Sequence, residues 1–559
     1  MTLCAGGNVR VAEAILLPAS VQRGREDPSF KDSLFFAFFI AIEKRETKFH
    51  KLNGKGGRHG SVPFVFCLKT IGGEMHILNE TQSLCPMCQR AVEAYYAEVD
   101  TGEVYFIQKC PEHGEFRTLA ARIPEDYKAW IKNPVLNVPP KHPITKGADE
   151  RTSGSSCPLY CGTCENHLQT ACCVLIDITD RCNQHCPYCF AEAGSPGGEP
   201  SLDEIGKKYD LLLELGEERP FNIQLSGGEP TVREDLPEII RMGAKKGFDY
   251  IQINSNGKRL GLEKNYAKTL REAGASVIFM QFDGTDDVIN LAMRNEALLD
   301  LKKAAIQNCR EAGLPVTLVP TIVQDVNLSN IGSMIDFMLD NLDVVKGIHF
   351  QPVSYFGRYP KPFGSGKAYG EDASGGADNG AGAGRVTMFD VMHAIQEQTA
   401  GRFQYSDLLP ISTGHPLCCF YGSYIKELSG KITSTVGQQK RAGGISCCDA
   451  ASPMDIIRKD RDFVVNKWNL PGSSDPAGCG DPGKAAGGSG RGEENVMDFD
   501  SFLRYIRSRM FTLSGMAFQD LSNLDAERLK RCRVQVLSDD NRLIPFCAYN
   551  SIYRESKEV

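Results

Sequence analysis

No stretch of this chain reaches the ~18–20 consecutive apolar residues that a membrane-spanning helix needs, so no bilayer-crossing segment is expected. The longest candidate, Leu34-Phe-Phe-Ala-Phe-Phe-Ile-Ala-Ile42, is too short. It follows a mixed-charge stretch and has no small-residue cleavage site soon after it, which argues against a signal peptide. Also missing is any Lys/Arg-dense stripe interleaved with aromatics, and with a net charge of −7 nucleic acid is not an expected partner. Cysteine, by contrast, is abundant at 21 residues, most of them in metal-ligand spacings. That pattern indicates a reducing cytoplasm with bound metal rather than a disulfide framework. A length of 559 residues calls for two or three domains plus linkers.

Residues 1–74 show no sustained period and no motif. They read as an unassigned, disordered extension or as an upstream translation artefact. Two stretches, 361–385 and 471–495, are rich in Gly, Ser, Ala and Asp and cannot bury a core, so they read as flexible insertions. Cys479, inside the second, is not expected to be a ligand. The remaining segments are a small metal-knuckle unit at 80–125, a cysteine-bearing segment at 150–172, a strand–helix region at 173–360 and a C-terminal extension at 386–470 and 496–559.

The strongest chemical signal is Cys182-Asn-Gln-His-Cys186-Pro-Tyr-Cys189 directly after an apolar run. Three thiolates in eight residues can hold three corners of a cubane iron–sulfur cluster and leave the fourth iron open to a ligand. A structural knuckle would use paired Cys-x-x-Cys units instead. A second triplet of identical spacing, Cys157-Pro-Leu-Tyr-Cys161-Gly-Thr-Cys164, lies just upstream. With Cys172 as fourth ligand it makes an auxiliary cluster, and His167 or Cys173 are the alternatives. Further on, Cys418, Cys532 and Cys547 are dispersed candidates for a third cluster, against the reading that they are buried thiols. Near the N-terminus, Cys85-Pro-Met-Cys88 and Cys110-Pro-Glu-His113 bracket a predicted hairpin around Asp100-Thr-Gly, a tetrahedral set for zinc or a single iron.

From Cys173 onward the pattern repeats strand then helix, with strands expected at Cys173–Ile178, Phe221–Leu225, Tyr250–Ile253, Val277–Phe282, Val316–Thr321 and Ile348–Val353. Ser201-Leu-Asp-Glu204 is a capping box that opens a helix whose apolar positions share one face. Such alternation specifies an α/β fold with a parallel sheet and outer helices, and chemistry gathers at the C-terminal ends of the strands. There the second strand carries Gly227-Gly228-Glu229-Pro230, where paired glycines permit close backbone approach. The third carries Asn254-Ser-Asn256-Gly257, either ribose contacts or an ordinary Asn-Gly turn. Asp283-Gly284 and Gln324-Asp325 follow the fourth and fifth, as cofactor or substrate contacts or as turn chemistry.

The metal-knuckle unit, the Cys-Pro-x-x-Cys-Gly-x-Cys-Glu-Asn-His segment, Asp177-Ile-Thr-Asp-Arg-Cys182-Asn, Leu225-Ser-Gly-Gly-Glu-Pro-Thr and the tail Leu543-Ile-Pro-Phe-Cys-Ala-Tyr-Asn together resemble one branch of the radical S-adenosylmethionine (SAM) superfamily. That branch holds archaeal tetraether lipid synthase and proteins described as radical methylases of dihydro-hydroxymethylpterin. The resemblance covers about residues 80–559 apart from the Gly-rich insertions. It implies a partial (β/α)6 barrel with a rubredoxin- or zinc-ribbon-like N-terminal unit and a Cys-containing C-terminal extension. It implies SAM bound at the open iron of the Cys182, Cys186, Cys189 cluster, with Gly227, Gly228 and Glu229 holding its methionine amino group. Asn254, Asn256 and Asp283 are further candidate contacts. One or two auxiliary 4Fe–4S clusters and a ferredoxin- or flavodoxin-like electron donor complete the expected set.

Three functional readings follow from the sequence. The leading one is radical C–C bond formation between lipid alkyl chains, which implies peripheral membrane contact. The second is a radical methyltransferase acting on a pterin-like small molecule. The third, from another class, is a non-catalytic iron–sulfur electron carrier, which the open-corner triplet argues against because a carrier gains nothing from an uncapped iron.

Overall fold

The computed structural model describes residues 75–554 apart from 142–156, 160, 163, 195–197, 217–219, 361–383 and 436–507. The extension 1–74, the Gly-rich insertions apart from Gly384 and Arg385, and Cys447, Cys448 and Cys479 lie outside the described residues.

Four antiparallel strands come first: β1 (His76–Leu84), β2 (Ala91–Glu98), β3 (Val104–Cys110) and β4 (Gly114–Ala121), in sheet order β1-β2-β3-β4. The predicted hairpin is β2–β3. The outer strands escape a period-2 reading because β1 is mostly exposed along its length and carries no clean alternation. The sheet packs on the turn at 519–525. Thr81 Oγ1 and the Tyr96 hydroxyl donate to the Asp525 carboxylate at 2.7 and 3.0 Å, Gln108 Nε2 donates to Leu521 O at 2.9 Å, and Thr118 Oγ1 donates to Ser522 O at 2.7 Å.

The predicted barrel strands follow as β5 (Cys173–Thr179), β6 (Asn222–Gly227), β7 (Ile251–Ser255), β8 (Val277–Gln281) and β9 (Val316–Val319). The short β10 (Thr321–Ile322) and then β11 (Val345–Pro352) complete the set. Neighbours from β5 through β9 to β11 are all parallel. The helix 202–215 starts at the expected capping box, with Ser201 N donating to Glu204 Oε2 at 2.7 Å and Glu204 N to Ser201 Oγ at 3.3 Å. The helix 236–246 ends at Gly247, whose φ of 103° is left-handed and favours glycine.

Strand alternation sets up everything that follows. On β6 and β7, Ile223, Leu225, Ile251 and Ile253 are fully buried in the apolar core. The intervening Gln224, Gln252 and Asn254 point the other way, into the barrel cavity.

The C-terminal extension is part of the same sheet, which the sequence pattern does not indicate. Its strands are β12 (Cys419–Lys426), β13 (Ile432–Ser434), β14 (Met510–Met516), β15 (Val534–Leu537) and β16 (Leu543–Pro545). β14 pairs parallel with β11 at one barrel edge, and β15 pairs parallel with β5 at the other. Both edges of the partial barrel are therefore covered, and the sheet's open edges move outward to β13 and β16. The assignment of 361–385 to an insertion needs one correction: Arg385 is buried, and its Nη2 donates to Asp520 Oδ2 at 2.6 Å, so this last residue belongs to the fold. Composition hides it because its neighbours are Gly and Ala.

Phe511 on β14 is fully buried against Phe403 and Tyr424. Phe511→Ala should cost about 3–5 kcal/mol of stability, whereas Leu428→Ala, at a residue 78% exposed, should leave it nearly unchanged. Thermal unfolding of the two variants checks that the extension is integral to the barrel.

Candidate active site and metal centres

Cys182, Cys186 and Cys189 line the wall of a cavity of about 480 Å³ at the C-terminal ends of the parallel strands. The loop that carries them is pinned from three sides. Cys189 and Arg358 exchange two backbone hydrogen bonds of 2.9 Å. Asn295 Nδ2 donates to His185 O at 3.2 Å, and Lys258 Nζ to Asn183 O at 3.1 Å. Burial pushes the Cys182 thiol up to about 12 and raises Cys186 as well. Thiols held neutral in this way become ligands when a cation displaces their protons. Three of them with no fourth sulfur aligned by the same loop fit a cluster with one open iron.

Gly227 and Gly228 form the opposite side of the cradle. A Cβ at either would lie 2.2 Å from a backbone oxygen, that of Thr179 or of Arg181 respectively, so only glycine admits the close approach. In return Gly228 N donates to Thr179 O at 2.7 Å and Glu229 N to Arg181 O at 2.9 Å. Glu229, 2% exposed, accepts from Thr231 N, Thr231 Oγ1 and Ser255 Oγ at Oε1, and from Asn256 N at Oε2, over 2.6–3.1 Å. Four donors already fill most of what a carboxylate accepts. Oε2, with a single donor, is the oxygen left for a ligand's ammonium.

The remaining candidates divide. Asn254 lines the cavity. Asn256 also lines it but serves mainly as turn chemistry: its Oδ1 accepts from Lys258 N at 2.9 Å, and its Nδ2 donates to Asn183 Oδ1 at 2.7 Å. Asp283 is fully buried, and its carboxylate receives Arg294 Nε and Nη2 at 2.7 and 2.8 Å and Thr321 N at 3.0 Å. It stands behind Arg294 rather than among the residues lining the cavity. Gln324 and Asp325 are not among those residues either.

Arg294 is the residue that sequence reasoning misses. It lines the cavity, donates to Tyr188 O at 2.7 Å inside the cysteine loop, and lies beside Cys186. Its signal in the sequence is only an Arg at the end of an amphipathic helix, which reads as a solvated cap. Lys302, also buried, donates to Gln281 O at 2.7 Å and to Asn256 O, and burial pulls its ammonium down to about 8.

At the N-terminal unit the turns β1–β2 and β3–β4 bring the ligand atoms of Cys85, Cys88, Cys110 and His113 within 4.8 Å of one another. Cys88 and Cys110 sulfurs are 3.9 Å apart, and Cys85 and Cys110 sulfurs lie 3.7 and 3.4 Å from His113 Nδ1. Zn–S bonds of ~2.3 Å in a tetrahedron give separations near these, so the set fits one tetrahedral ion. Burial raises Cys110, but hydrogen bonds from His113 and nearby amides outweigh it and bring this thiol down to about 6.

Several of the other described cysteines lie near one another beside the C-terminal strands. Cys157, Cys161 and Cys547 share one apolar cluster, and Cys157 hydrogen-bonds Cys161. Cys532 is close enough to Cys418, Cys547 and Cys161 for their charges to act on one another. Gln519 N donates to Cys547 Sγ at 3.2 Å, and Arg528 hydrogen-bonds Cys418. Cys172 Sγ donates to Arg533 O at 3.4 Å and borders the main cavity together with Cys173. His167, one alternative fourth ligand, has Nε2 engaged with Cys532 O at 2.9 Å.

A thiol triplet at the mouth of a parallel partial barrel, beside a Gly-Gly-Glu brace, has the chemistry to hold an iron–sulfur cluster with one open iron. Residues 176–338 match the family model "Radical SAM superfamily", and residues 77–122 match "HMPTM N-terminal zinc ribbon domain". The chain is 32% identical over 513 residues to a 7,8-dihydro-6-hydroxymethylpterin dimethyltransferase of Methanocaldococcus jannaschii, covering 86% of this chain and 94% of that protein. It is 31% identical over 180 residues to a probable GTP 3′,8-cyclase of Methanococcus maripaludis, covering 32% of this chain and 59% of that protein. With the Fe-coproporphyrin III synthase of Methanosarcina barkeri it shares 31% over 189 residues, or 34% and 45% of the two chains. The chain belongs to the radical SAM superfamily, in the branch that includes the Methanocaldococcus protein. As an enzyme of this superfamily it uses a 4Fe–4S cluster and SAM and needs an electron donor. Among the described residues no helix is long and apolar enough to cross a membrane.

Asp283→Ala should strand the buried Arg294 guanidinium and cost about 3–5 kcal/mol. A paired Asp283→Leu/Arg294→Met change should recover most of that loss. Anaerobic thermal unfolding of the metal-free proteins measures both.

Proposed function

We propose that this protein is a radical SAM methyltransferase acting on a pterin-like small molecule. The observation that carries the reading is the similarity to the archaeal pterin dimethyltransferase, which covers 86% of this chain and 94% of that protein. When bound, the cluster and SAM supply one-electron cleavage of the sulfonium and abstraction of a substrate hydrogen atom. The protein's part is placement. Cys182, Cys186 and Cys189 hold the cluster, Gly227, Gly228 and Glu229 receive the methionine end of SAM, and the barrel walls exclude water from the reacting carbon.

A second reading, C–C bond formation between lipid alkyl chains, is favoured by one feature. Phe190, Phe356, Phe518 and Phe546 pack together at the rim of the cavity beside Cys189, with centroid separations of 4.5–6.2 Å. Anaerobic incubation with SAM and reductant decides between them by mass spectrometry. Mass gain on 7,8-dihydro-6-hydroxymethylpterin supports the methyltransferase, and coupling of added ether lipids without pterin methylation replaces it.

The auxiliary metal sites belong to the same proposal. Cys157, Cys161, Cys164 and Cys172 hold one further 4Fe–4S cluster, and Cys418, Cys532 and Cys547 a third. Cys85, Cys88, Cys110 and His113 hold zinc or one iron. Reconstituted protein should then carry about twelve irons in three cubanes, besides the N-terminal ion. A Cys418/Cys532/Cys547 triple Ala variant should lose about four of those irons. An iron content near eight that the triple variant leaves unaltered shows that these thiols hold no cluster. A ferredoxin- or flavodoxin-like protein is the proposed electron donor.

A further inference from the structure

The inner face of the barrel holds a directed chain of neutral hydrogen-bonding groups that the SAM site does not use. The Tyr250 hydroxyl donates to Gln252 Oε1 at 3.3 Å, Gln252 Nε2 donates to Asn254 Oδ1 at 2.7 Å, and Asn254 Nδ2 donates to Gln224 Oε1 at 3.3 Å. Tyr250 is 4% exposed, and burial keeps its hydroxyl protonated, so the chain starts from a fixed donor. Every amide oxygen along it already accepts one bond. Donors predominate in what remains: the whole Gln224 NH2, which has no partner among the described residues, and one N–H each on Gln252 and Asn254, beside a single second lone pair on each oxygen. All three side chains line the cavity.

We propose that Gln224, Gln252 and Asn254 form the recognition floor for an uncharged, acceptor-rich heterocycle, the substrate of the methyltransferase reading on which this inference rests. A floor of unpartnered donors matches ring nitrogens and carbonyl oxygens. It does not match methylenes, because an alkyl chain covering these amides would strand each N–H without a partner. Nor does it match a phosphate or carboxylate, because none of the three carries a charge to balance one. Depth separates the floor from SAM. Gln224 lies three residues before Gly227 and Gln252 four before Asn256 along strands that rise ~3.3 Å per residue, which puts it about 10 Å below the cysteine rim. Asn254 stands at the upper end of the chain, where floor and cofactor layer meet. The ladder also fixes orientation, since each amide is turned by the one before it. A substrate therefore meets donors that are already aligned and loses little freedom in ordering them.

The test uses full-length, anaerobically reconstituted protein and 7,8-dihydro-6-hydroxymethylpterin as the probe, titrated by its own fluorescence. Gln224→Glu keeps the shape and removes the NH2 donors, and Gln224→Met keeps the length and removes all polarity. Both should weaken pterin binding about ten- to a hundredfold, the effect of leaving buried acceptors unpaired. Iron content and SAM affinity, measured separately, should stay at wild-type values. Pterin binding equal to wild type in both variants, with iron content intact, overturns the floor while leaving the methyltransferase reading in place. Weakened SAM in place of weakened pterin assigns the ladder to the cofactor and overturns it as well. Failure of the wild-type protein to bind pterin, with binding of an ether lipid instead, overturns the methyltransferase reading and the inference with it.

Discussion

The contact on which the rest of the site depends is the seating of Gly227-Gly228-Glu229 against the backbone of Thr179–Arg181. Without side chains at the two glycines, the end of β6 reaches hydrogen-bond distance of the segment that launches the cysteine triplet. Glu229 then turns away and ties β7 through Ser255 and Asn256. The motif's backbone and its one carboxylate thus together fix the spacing of three successive strand ends. A motif usually read as a ligand for SAM is at the same time the brace that decides where SAM could lie. The two roles have one physical origin, because a buried carboxylate needs donors, and two of its four come from the end of the neighbouring strand β7.

A second constraint acts from the C-terminal half. β14 and β15 cover opposite edges of the barrel, and the turn between them carries Asp520 and Asp525. Asp525 receives the metal-knuckle sheet through Thr81 and Tyr96, while Asp520 receives Arg385. The same stretch supplies Gln519, whose amide meets Cys547. The N-terminal unit, the candidate auxiliary cysteines and the barrel edge consequently meet at a few buried polar residues. Removal of any one of them leaves unpaired donors in a dry interior.

Much of this was legible in the sequence, and the boundary of legibility is physical. The cysteine spacings, the capping box at Ser201–Glu204 and the glycine stop at Gly247 are local, so a few consecutive residues display them. The six barrel strands are legible because each alternates with a helix. The pairing of β15 with β5 has no such signature: Val534 meets Cys173 across several hundred residues, and parallel edge pairing leaves no mark in either strand alone. Arg294 carries no signal of a site in the sequence, and Asp283 shows there only as a cofactor or substrate contact or as turn chemistry. Only the fold makes them a buried ion pair with no water to weaken it. Arg385 is missed for the opposite reason, since a Gly-rich neighbourhood masks a single anchoring residue.

The distribution of charge adds a last point. Glu229, Asp283, Arg294 and Lys302 are all buried, and all lie in the layer just beneath the cysteine loop. Two carboxylates balance two cations, so the layer is formally neutral before any cluster is held, and the guanidinium is the charge nearest Cys186. The next layer down, Gln224, Gln252 and Tyr250, carries no charge. In a medium of low dielectric an added electron interacts strongly with fixed charges a few ångströms away and much less with neutral dipoles below them. The barrel therefore stacks two environments along its axis: a charged layer where electron transfer is felt, and a neutral one where a substrate can be recognised by shape and hydrogen bonds. Alternation along β6 and β7 produces both, because the strands that end at the brace also carry the amides beneath it.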